Sequence, residues 1–178
     1  MTTILVPVDF SDCSYEVVRH AARVAKGLGA RLRLLHVLEL PPGLQRETMV
    51  SPNGEGSEMT VWEFARSDAA CHMSRYESIG EVEGVDLVTD IVAGQPADAI
   101  VEAGELGDVE QIVMGTHGRS GFARMLTGSV AEMVVRRSSR PVTLIRSQHE
   151  PTCDARSCAW CRSGTLEAQR RLWAELDG

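Results

Sequence analysis

The sequence predicts an α/β fold with three layers, in which a doubly wound sheet of five parallel strands lies between helices. Two observations predict it. Short, almost entirely apolar runs recur along the chain, as is typical of strands that are buried on both faces. Segments with helical periodicity separate these runs, and this alternation favours a parallel sheet with helices on both faces. The 178 residues, 43% of them hydrophobic, are enough for one domain with a real core.

The first strand–helix–strand unit occupies the start of the sequence. The run TILVPVD (3–9) is nearly all apolar and predicts the first strand. Residues 11–29 follow as a helix, with Gly27 and Gly29 as its stop signal. RLRLLHVLE (31–39) predicts the second strand. The residues expected on the buried face of the helix are Val17, Ala21, Val24, Ala25 and Leu28.

A long connection precedes the second predicted helix. Residues 39–57 are rich in Pro, Gly and Ser and predict a loop, and long loops in compact domains are often functional. A helix is expected over Glu58–Ile79, followed by a strand over 85–94 (VDLVTDIVAG). Pro96 is typical of a first helical turn and predicts a third helix that ends near Gly104.

The last strand–helix–strand unit completes the predicted sheet. EQIVMG (110–115) is the fourth strand. Ser129 and Glu132 form an S-x-x-E capping box, which predicts the start of a fourth helix. Pro141 ends this helix, and PVTLIR (141–146) is the fifth strand.

Three of the predicted strands end in residues that are candidates for a common site. Ligands of doubly wound sheets bind beyond the carboxyl ends of the strands, where the strand order reverses. Asp9 ends the first strand, Val37 lies late in the second and Gly115 ends the fourth. We expect these residues to converge if the first and fourth strands are neighbours at the reversal.

The segment between the fourth strand and the fourth helix has the composition of a phosphate-binding loop. Its glycines follow the spacing G-x2-G-x9-G-S over residues 115–129. Glycine lets the backbone approach an anion closely, and the helix that starts near Ser129 offers unpaired N–H groups and the positive end of its dipole. Arg119 and Arg124 add cationic donors, although Arg124 also has an interpretation as a surface residue. The spacing is neither a Walker A loop nor a GxGxxG fingerprint.

Three stretches together identify a family resemblance. They are ILVPVDFS near the start, GQPADAI in the middle and VMGTHGRSGFARMLTGSVAEMVVRRSSRPVTLIR near the end. In these stretches the chain resembles the universal stress protein family, in its ATP-binding branch with the G-x2-G-x9-G-[ST] motif. The resemblance covers a predicted nucleotide-binding domain at 1–147 and leaves 148–178 as a C-terminal extension. It implies a Rossmann-like fold, a homodimer paired through the last strand and ATP bound at the switch point.

The resemblance also implies which residues contact the nucleotide. Those expected around the adenine and ribose are Pro7, Val8, Asp9 and Val37. Those expected under the nucleotide are Met114 and Gly115. Those expected near the phosphates are His117, Gly118, Arg119, Gly128, Ser129 and Val130. Asp9 and Ser129 have a second interpretation as caps of their helices, and His117 has one as a polar loop residue.

The predicted function is that of an adenine nucleotide-binding module that acts as a stress-response or regulatory switch. Micromolar affinity needs about 8 kcal/mol, whereas an exposed charge at a helix N-terminus gains roughly 0.3–1 kcal/mol. An adenine pocket, several backbone donors and Mg²⁺ are therefore expected as well. Efficient hydrolysis is not expected, because residues 116–127 contain no Asp or Glu that could act as a general base. His117 is the only base expected near the phosphates. A slow ATPase, a nucleotidyl or phosphoryl transferase, and a nucleotide-free interaction scaffold are the alternatives.

The net charge and the hydropathy of the sequence argue against two classes of partner, nucleic acids and membranes. The formal net charge is −7 and no basic block dominates, so nucleic acid is not an expected partner. No apolar run approaches the roughly 18 residues that a membrane-spanning helix needs, so no membrane association is expected. The start MTTILVPVDF resembles no export signal, which predicts a cytoplasmic protein.

The extension contains its own candidate site. His149, Cys153, Cys158 and Cys161 are four ligands that zinc accepts, although only one Cys-x2-Cys half-site is present. A Cys158–Cys161 redox pair and structurally incidental thiols are the alternatives. Apolar residues at helical spacing over 165–177 predict an amphipathic helix that docks on the parent domain or on a partner subunit. Outside the extension, Cys13 and Cys71 are expected to be packed thiols, and a thiolate stabilised at the helix start beside the site is the alternative for Cys13.

Overall fold

A computed structural model describes residues 1–40, 43–51, 58–116 and 129–146, apart from the side chains of Asp12, Cys13 and Ser129. Seven strands and four helices lie within these ranges. In chain order they are β1 (Thr3–Pro7), α1 (Asp12–Leu28), β2 (Arg31–Leu38), β3 (Met49–Val50), β4 (Met59–Thr60), α2 (Val61–Glu83), β5 (Leu87–Ala93), α3 (Pro96–Gly104), β6 (Val109–Gly115), α4 (Ser129–Arg137) and β7 (Val142–Ile145).

The five long strands form one parallel sheet in the order β5-β2-β1-β6-β7. From β1 the chain passes outward through β2 to β5, and then crosses to β6 and β7 on the other side. The strand order therefore reverses between β1 and β6, which confirms the predicted doubly wound sheet and makes these two strands neighbours at the switch point. β3 and β4 form a separate antiparallel pair.

Each face of the sheet is covered by a pair of helices, and each face has its own core. One core lies under α1 and α2 and contains residues such as Ile4, Val6 and Leu34. The other lies under α3 and α4 and contains residues such as Leu5, Leu35 and Ile112. Successive residues of β1 alternate between the two cores because side chains of a strand point to opposite faces. These two cores are why the strands read as continuous apolar runs.

The first helix packs largely as its periodicity predicts. Val17, Ala21 and Ala25 are buried against the sheet. Leu28 is not, since 56% of its surface is exposed. It occupies the last turn, just before Gly29 takes up the left-handed conformation (φ 62°) that ends the helix, so its side chain lies beyond the reach of the core.

The second helix begins and ends later than predicted. It starts at Val61 rather than Glu58 because Thr60 and Glu63 form a complete capping box. The Thr60 hydroxyl accepts from the Glu63 N–H (3.1 Å), and the Glu63 carboxylate accepts from the Thr60 N–H (2.9 Å). The helix continues past Ile79 to Glu83 and is stopped by Gly84, which has a positive φ of 68°.

Other predictions also need correction. The connection at 39–57 is not entirely irregular, since it contains β3. Cys71 is exposed rather than packed. The fourth helix ends at Arg137, before Pro141. The Glu132 carboxylate pairs with Arg136 (2.8 Å), one turn further along, and the predicted capping box of Glu132 with Ser129 stays a prediction because the Ser129 side chain lies outside the described part of the chain. The predicted extension at 148–178 lies outside the described residues. Within the ranges that are described, no helix has the length and apolar character to cross a membrane.

Candidate functional site

The end of β1 creates a gap in the sheet at the switch point. The Val8 N–H donates to the Leu35 carbonyl of β2 (2.9 Å). Since backbone groups alternate in direction along a strand, the nitrogen of the preceding residue, Pro7, faces β6. Proline has no N–H to donate, and the β1–β6 pairing runs only as far as Leu5 and Ile112. β1 and β6 are therefore neighbours, but their pairing ends before the carboxyl edge of the sheet, where a doubly wound fold binds its ligands.

Asp9 is fixed just beyond this gap by a set of short hydrogen bonds. Its Oδ1 accepts from the Ser11 hydroxyl (2.6 Å), the Ser14 hydroxyl (2.7 Å) and the Ser11 N–H (3.1 Å). The Ser14 oxygen accepts in turn from the Asp9 N–H (3.3 Å). The Asp9 carboxylate therefore lies at the start of α1, near the positive end of the helix dipole, where its bonds reach the N-cap residue Ser11 and the Ser14 hydroxyl. Its second interpretation, as a cap of this helix, stays a prediction.

Two residues that the sequence analysis did not select complete this end of the site. Phe10 has a positive φ of 62°, which is uncommon for a residue with a side chain, and its ring stacks on His36 with centroids 4.0 Å apart. The buried His36 Nδ1 donates to the Val8 carbonyl (2.8 Å). Because a carbonyl only accepts, Nδ1 carries the proton in this bond. A histidine inside the apolar stretch Leu34–Leu38 of β2 was the signal that could have identified His36.

The remaining described candidates lie at the same edge of the sheet but on different faces. Met114 is buried in the core under α3 and α4, and Val37 and Val130 pack against that core. The Val8 side chain packs on the opposite face, under α1 and α2. Val8 therefore reaches the switch point through its backbone only. Gly115 ends β6 beside Ile145 of β7.

A cationic side chain from the long connection also reaches this edge of the sheet. The Arg46 guanidinium donates to the carbonyl of Ala93 (3.4 Å), at the carboxyl end of β5, and lies 5.1 Å from the ring centre of Trp62. Ala93 pairs with Leu38, the residue after Val37. The connection thus places a positive charge near the end of β2, and no periodic pattern in the sequence indicated it.

Several predicted site residues lie outside the described part of the chain. These are His117, Gly118, Arg119 and Gly128, together with the side chain of Ser129. The backbone of α4 does begin at Ser129. The candidate zinc ligands His149, Cys153, Cys158 and Cys161 also lie outside it. Among the residues that are described, no group of three or more His, Cys, Asp or Glu is placed to hold a metal ion.

Comparisons with known proteins give a consistent result. The family model described as the universal stress protein family matches residues 1–146. Universal stress protein MJ0531 of Methanocaldococcus jannaschii is 33% identical over 143 residues, 80% of this chain and 81% of that protein. The solved structure of MJ0577, from the same organism, is 28% identical with a TM-score of 0.64, over 84% of this chain and 98% of that one. A universal stress protein from Archaeoglobus fulgidus, solved in complex with dAMP, is 26% identical with a TM-score of 0.58, over 82% of this chain and 98% of that one.

Proposed function

Since the chain belongs to the universal stress protein family, we propose that it binds an adenine nucleotide at the carboxyl edge of the sheet, between β1 and β6. The observation that carries the proposal is the gap that Pro7 leaves at the switch point, with Asp9 fixed beside it. The glycine-rich segment leaves β6 at this gap and leads into α4. The Archaeoglobus fulgidus relative that was solved with dAMP supports an adenine nucleotide as the ligand.

The proposed orientation follows from the chemistry at the two ends of the gap. The half-buried side chain of Val37 and the buried Met114 give an apolar surface that suits a base. We propose that the base and ribose lie against the backbone of Pro7 and Val8 and the carboxylate of Asp9, at the end of β1. The N-terminus of α4 and the 115–129 glycines suit the phosphates, because unpaired helix N–H groups favour anions. ATP is the nucleotide we propose, with Mg²⁺ to offset the repulsion between a polyphosphate and a chain of net charge −7.

We propose that the nucleotide controls assembly or partner binding and is not a substrate for efficient turnover. The segment that would surround the phosphates, 116–127, has no carboxylate to act as a general base. β7 supports assembly into a homodimer, because it lies at the edge of the sheet and its side chains are all partly exposed. An edge strand offers unpaired N–H and C=O groups to a second strand.

The test is to identify what the protein carries when it is purified without added nucleotide. The sample is denatured, its supernatant is separated by HPLC, and the metal content of the same sample is measured. We expect ATP in near-stoichiometric amount, and its loss in Gly118→Val and Gly128→Val. ADP or AMP in place of ATP would favour the slow ATPase. No nucleotide, together with no binding on titration, would refute the proposal and leave an interaction scaffold.

The same metal analysis tests the proposed site in the extension. Zinc at about one ion per chain, lost in Cys158→Ser, would support a His149, Cys153, Cys158 and Cys161 site. Reduced protein that contains no zinc would contradict the zinc site. It would favour the alternatives, a redox pair or structurally incidental thiols.

A further inference from the structure

Phe10 is the one residue with a side chain that has a positive φ in the described ranges, and it directly follows Asp9. An aromatic residue rarely adopts the left-handed region unless surrounding contacts hold it there. Those contacts are aromatic. The Phe10 ring stacks on His36 at 4.0 Å, on His72 at 5.0 Å and on Tyr76 at 6.5 Å between centroids.

This aromatic stack, defined as Phe10, His36, His72 and Tyr76, joins elements that are far apart in the sequence. His36 comes from β2 and holds the Val8 carbonyl, so it contacts the segment on both sides of Asp9. His72 and Tyr76 come from successive turns of α2 and are both buried. The stack therefore anchors the segment Val8–Ser11 to a helix that provides none of the candidate nucleotide contacts.

The two ends of this segment are fixed in different ways. Before Asp9, the backbone of Val8 is bonded to β2 at its N–H and to His36 at its carbonyl. After Asp9, the positive φ of Phe10 turns the chain so that Ser11 and Ser14 donate to the carboxylate. Without the ring contacts, Phe10 would relax toward negative φ, and this turn would change its direction. The position of the Asp9 carboxylate thus depends on the ring of its neighbour.

We propose that Phe10 is a positioning residue for the adenine and ribose end of the nucleotide site, and that it acts through Asp9 because the stack on α2 holds it in its left-handed conformation. The inference rests on the proposed function and names the way in which one end of that site is held. It also assigns α2 a part in binding, since His72 and Tyr76 support the turn.

The test compares the affinities of adenosine, AMP and ATP across four variants by calorimetric titration. Phe10→Leu keeps apolar volume but removes the ring, Phe10→Gly permits the positive φ without the ring, and His72→Leu removes one stacking partner. Ile79→Ala is the matched control, because Ile79 is buried on α2 in the same core but lies outside the stack. His72→Leu is expected to bind roughly two- to tenfold more weakly, the range that the energy of one aromatic pair allows, and the two Phe10 variants, which lose all three ring contacts, are expected to bind at least as weakly.

The ratio between ligands shows which end of the site is affected, and the control variant separates positioning from general destabilisation. We expect each stack variant to weaken the three ligands by the same factor, since the phosphate end is unaffected. Ile79→Ala is expected to lower the free energy of unfolding while it leaves all three affinities as in the wild type. Wild-type affinity in Phe10→Leu, Phe10→Gly and His72→Leu would overturn the proposal, as would a loss that grows with the number of phosphates.

An amide hydrogen-exchange measurement on the ligand-free protein keeps the two proposals distinguishable. We expect Phe10→Leu to lose protection at the Ser11 N–H, which donates to Asp9, and to keep it at the Val8 N–H, which donates to β2. If this pattern appears but the wild type binds no nucleotide, the proposed function is wrong and Phe10 has a structural role only. If the wild type binds and the Ser11 protection is unchanged in Phe10→Leu, this inference alone is wrong.

Discussion

Asp9 offers a prediction in which structural and binding effects can be separated by the choice of substitution. Its Oδ1 accepts three hydrogen bonds at 2.6–3.1 Å from Ser11 and Ser14. Hydrogen bonds to charged groups contribute about 1.5–3 kcal/mol each, but Asp9 and Ser11 are partly exposed here, so water can replace part of these bonds. We therefore expect Asp9→Ala to lower the free energy of unfolding by about 2–4 kcal/mol, less than the sum of three separate bonds.

Asp9→Asn keeps an oxygen at the same position, removes the charge and replaces the second oxygen with an NH2 group. Charge-assisted hydrogen bonds are about twice as strong as neutral ones, so the expected loss is roughly half of that in Asp9→Ala. Ser14→Ala removes one donor to Asp9 and the acceptor of the Asp9 N–H, and we expect a loss of about 1 kcal/mol. The expected order of destabilisation is therefore Asp9→Ala, then Asp9→Asn, then Ser14→Ala.

Urea unfolding measures this order, provided that the slope m is unchanged among the variants. Binding of adenosine to the folded Asp9→Asn protein then reports on the ligand contact, and we expect it to be weaker than in the wild type. Equal destabilisation by Asp9→Asn and Asp9→Ala would refute the reasoning about the acceptor oxygen. A wild-type free energy of unfolding in Asp9→Ala would refute the claim that these bonds hold the turn.

Three further predictions test other parts of the account. In urea unfolding, Gly80→Ala should destabilise by about 1 kcal/mol or more, because its Cβ would lie 2.9 Å from the Leu87 Cβ and 3.1 Å from the Val85 carbonyl oxygen. Gly27→Ala, in which no described atom lies within 4 Å of the added Cβ, should stabilise by about 0.5–1 kcal/mol, and equal effects would contradict the packing argument. The buried Thr3 hydroxyl donates to Asp108 (2.8 Å) and lowers the pKa of that carboxyl, so its contribution to stability should be present above about pH 4 and lost as pH falls through the lowered folded value. Thr3→Val should raise the pKa of Asp108 in an NMR titration, and an unchanged pKa would contradict this cause. Removal of Mg²⁺ with EDTA should weaken ATP binding in calorimetry and leave AMP binding unchanged, whereas equal loss for both nucleotides would contradict a role of Mg²⁺ at the terminal phosphates.

The sheet was predictable because a parallel strand buried on both faces has an unmistakable apolar pattern. Each of the five predicted strands is present, and the predicted meeting of β1 and β6 at the switch point is confirmed. The start of α2 was also predictable but was missed, since Thr60 and Glu63 have the T-x-x-E spacing of a capping box. The prediction that Leu28 is buried was wrong, because periodicity does not show where a helix extends beyond the core that it covers.

The conformation of Phe10 could not be predicted in the same way. Its positive φ depends on a ring contact with His72, and that contact exists only once α2 has packed beside β2. The position of Arg46 is likewise set by the approach of the long connection to β5. Local patterns describe which face of an element is buried. They do not describe which side chains from distant elements meet at one end of the sheet.

The most direct test of the proposed site is an amide chemical-shift map of isotope-labelled protein titrated with ATP. We expect saturable shifts, with one ATP per chain, at Val8–Ser14, at Val37 and Leu38, and at Met114–Thr116 with the start of α4. These segments all lie at the carboxyl edge of the sheet around the β1–β6 gap. Shifts confined to the opposite edge, near Thr3 and Asp108, or no shifts at any ATP concentration, would contradict a nucleotide site at the switch point.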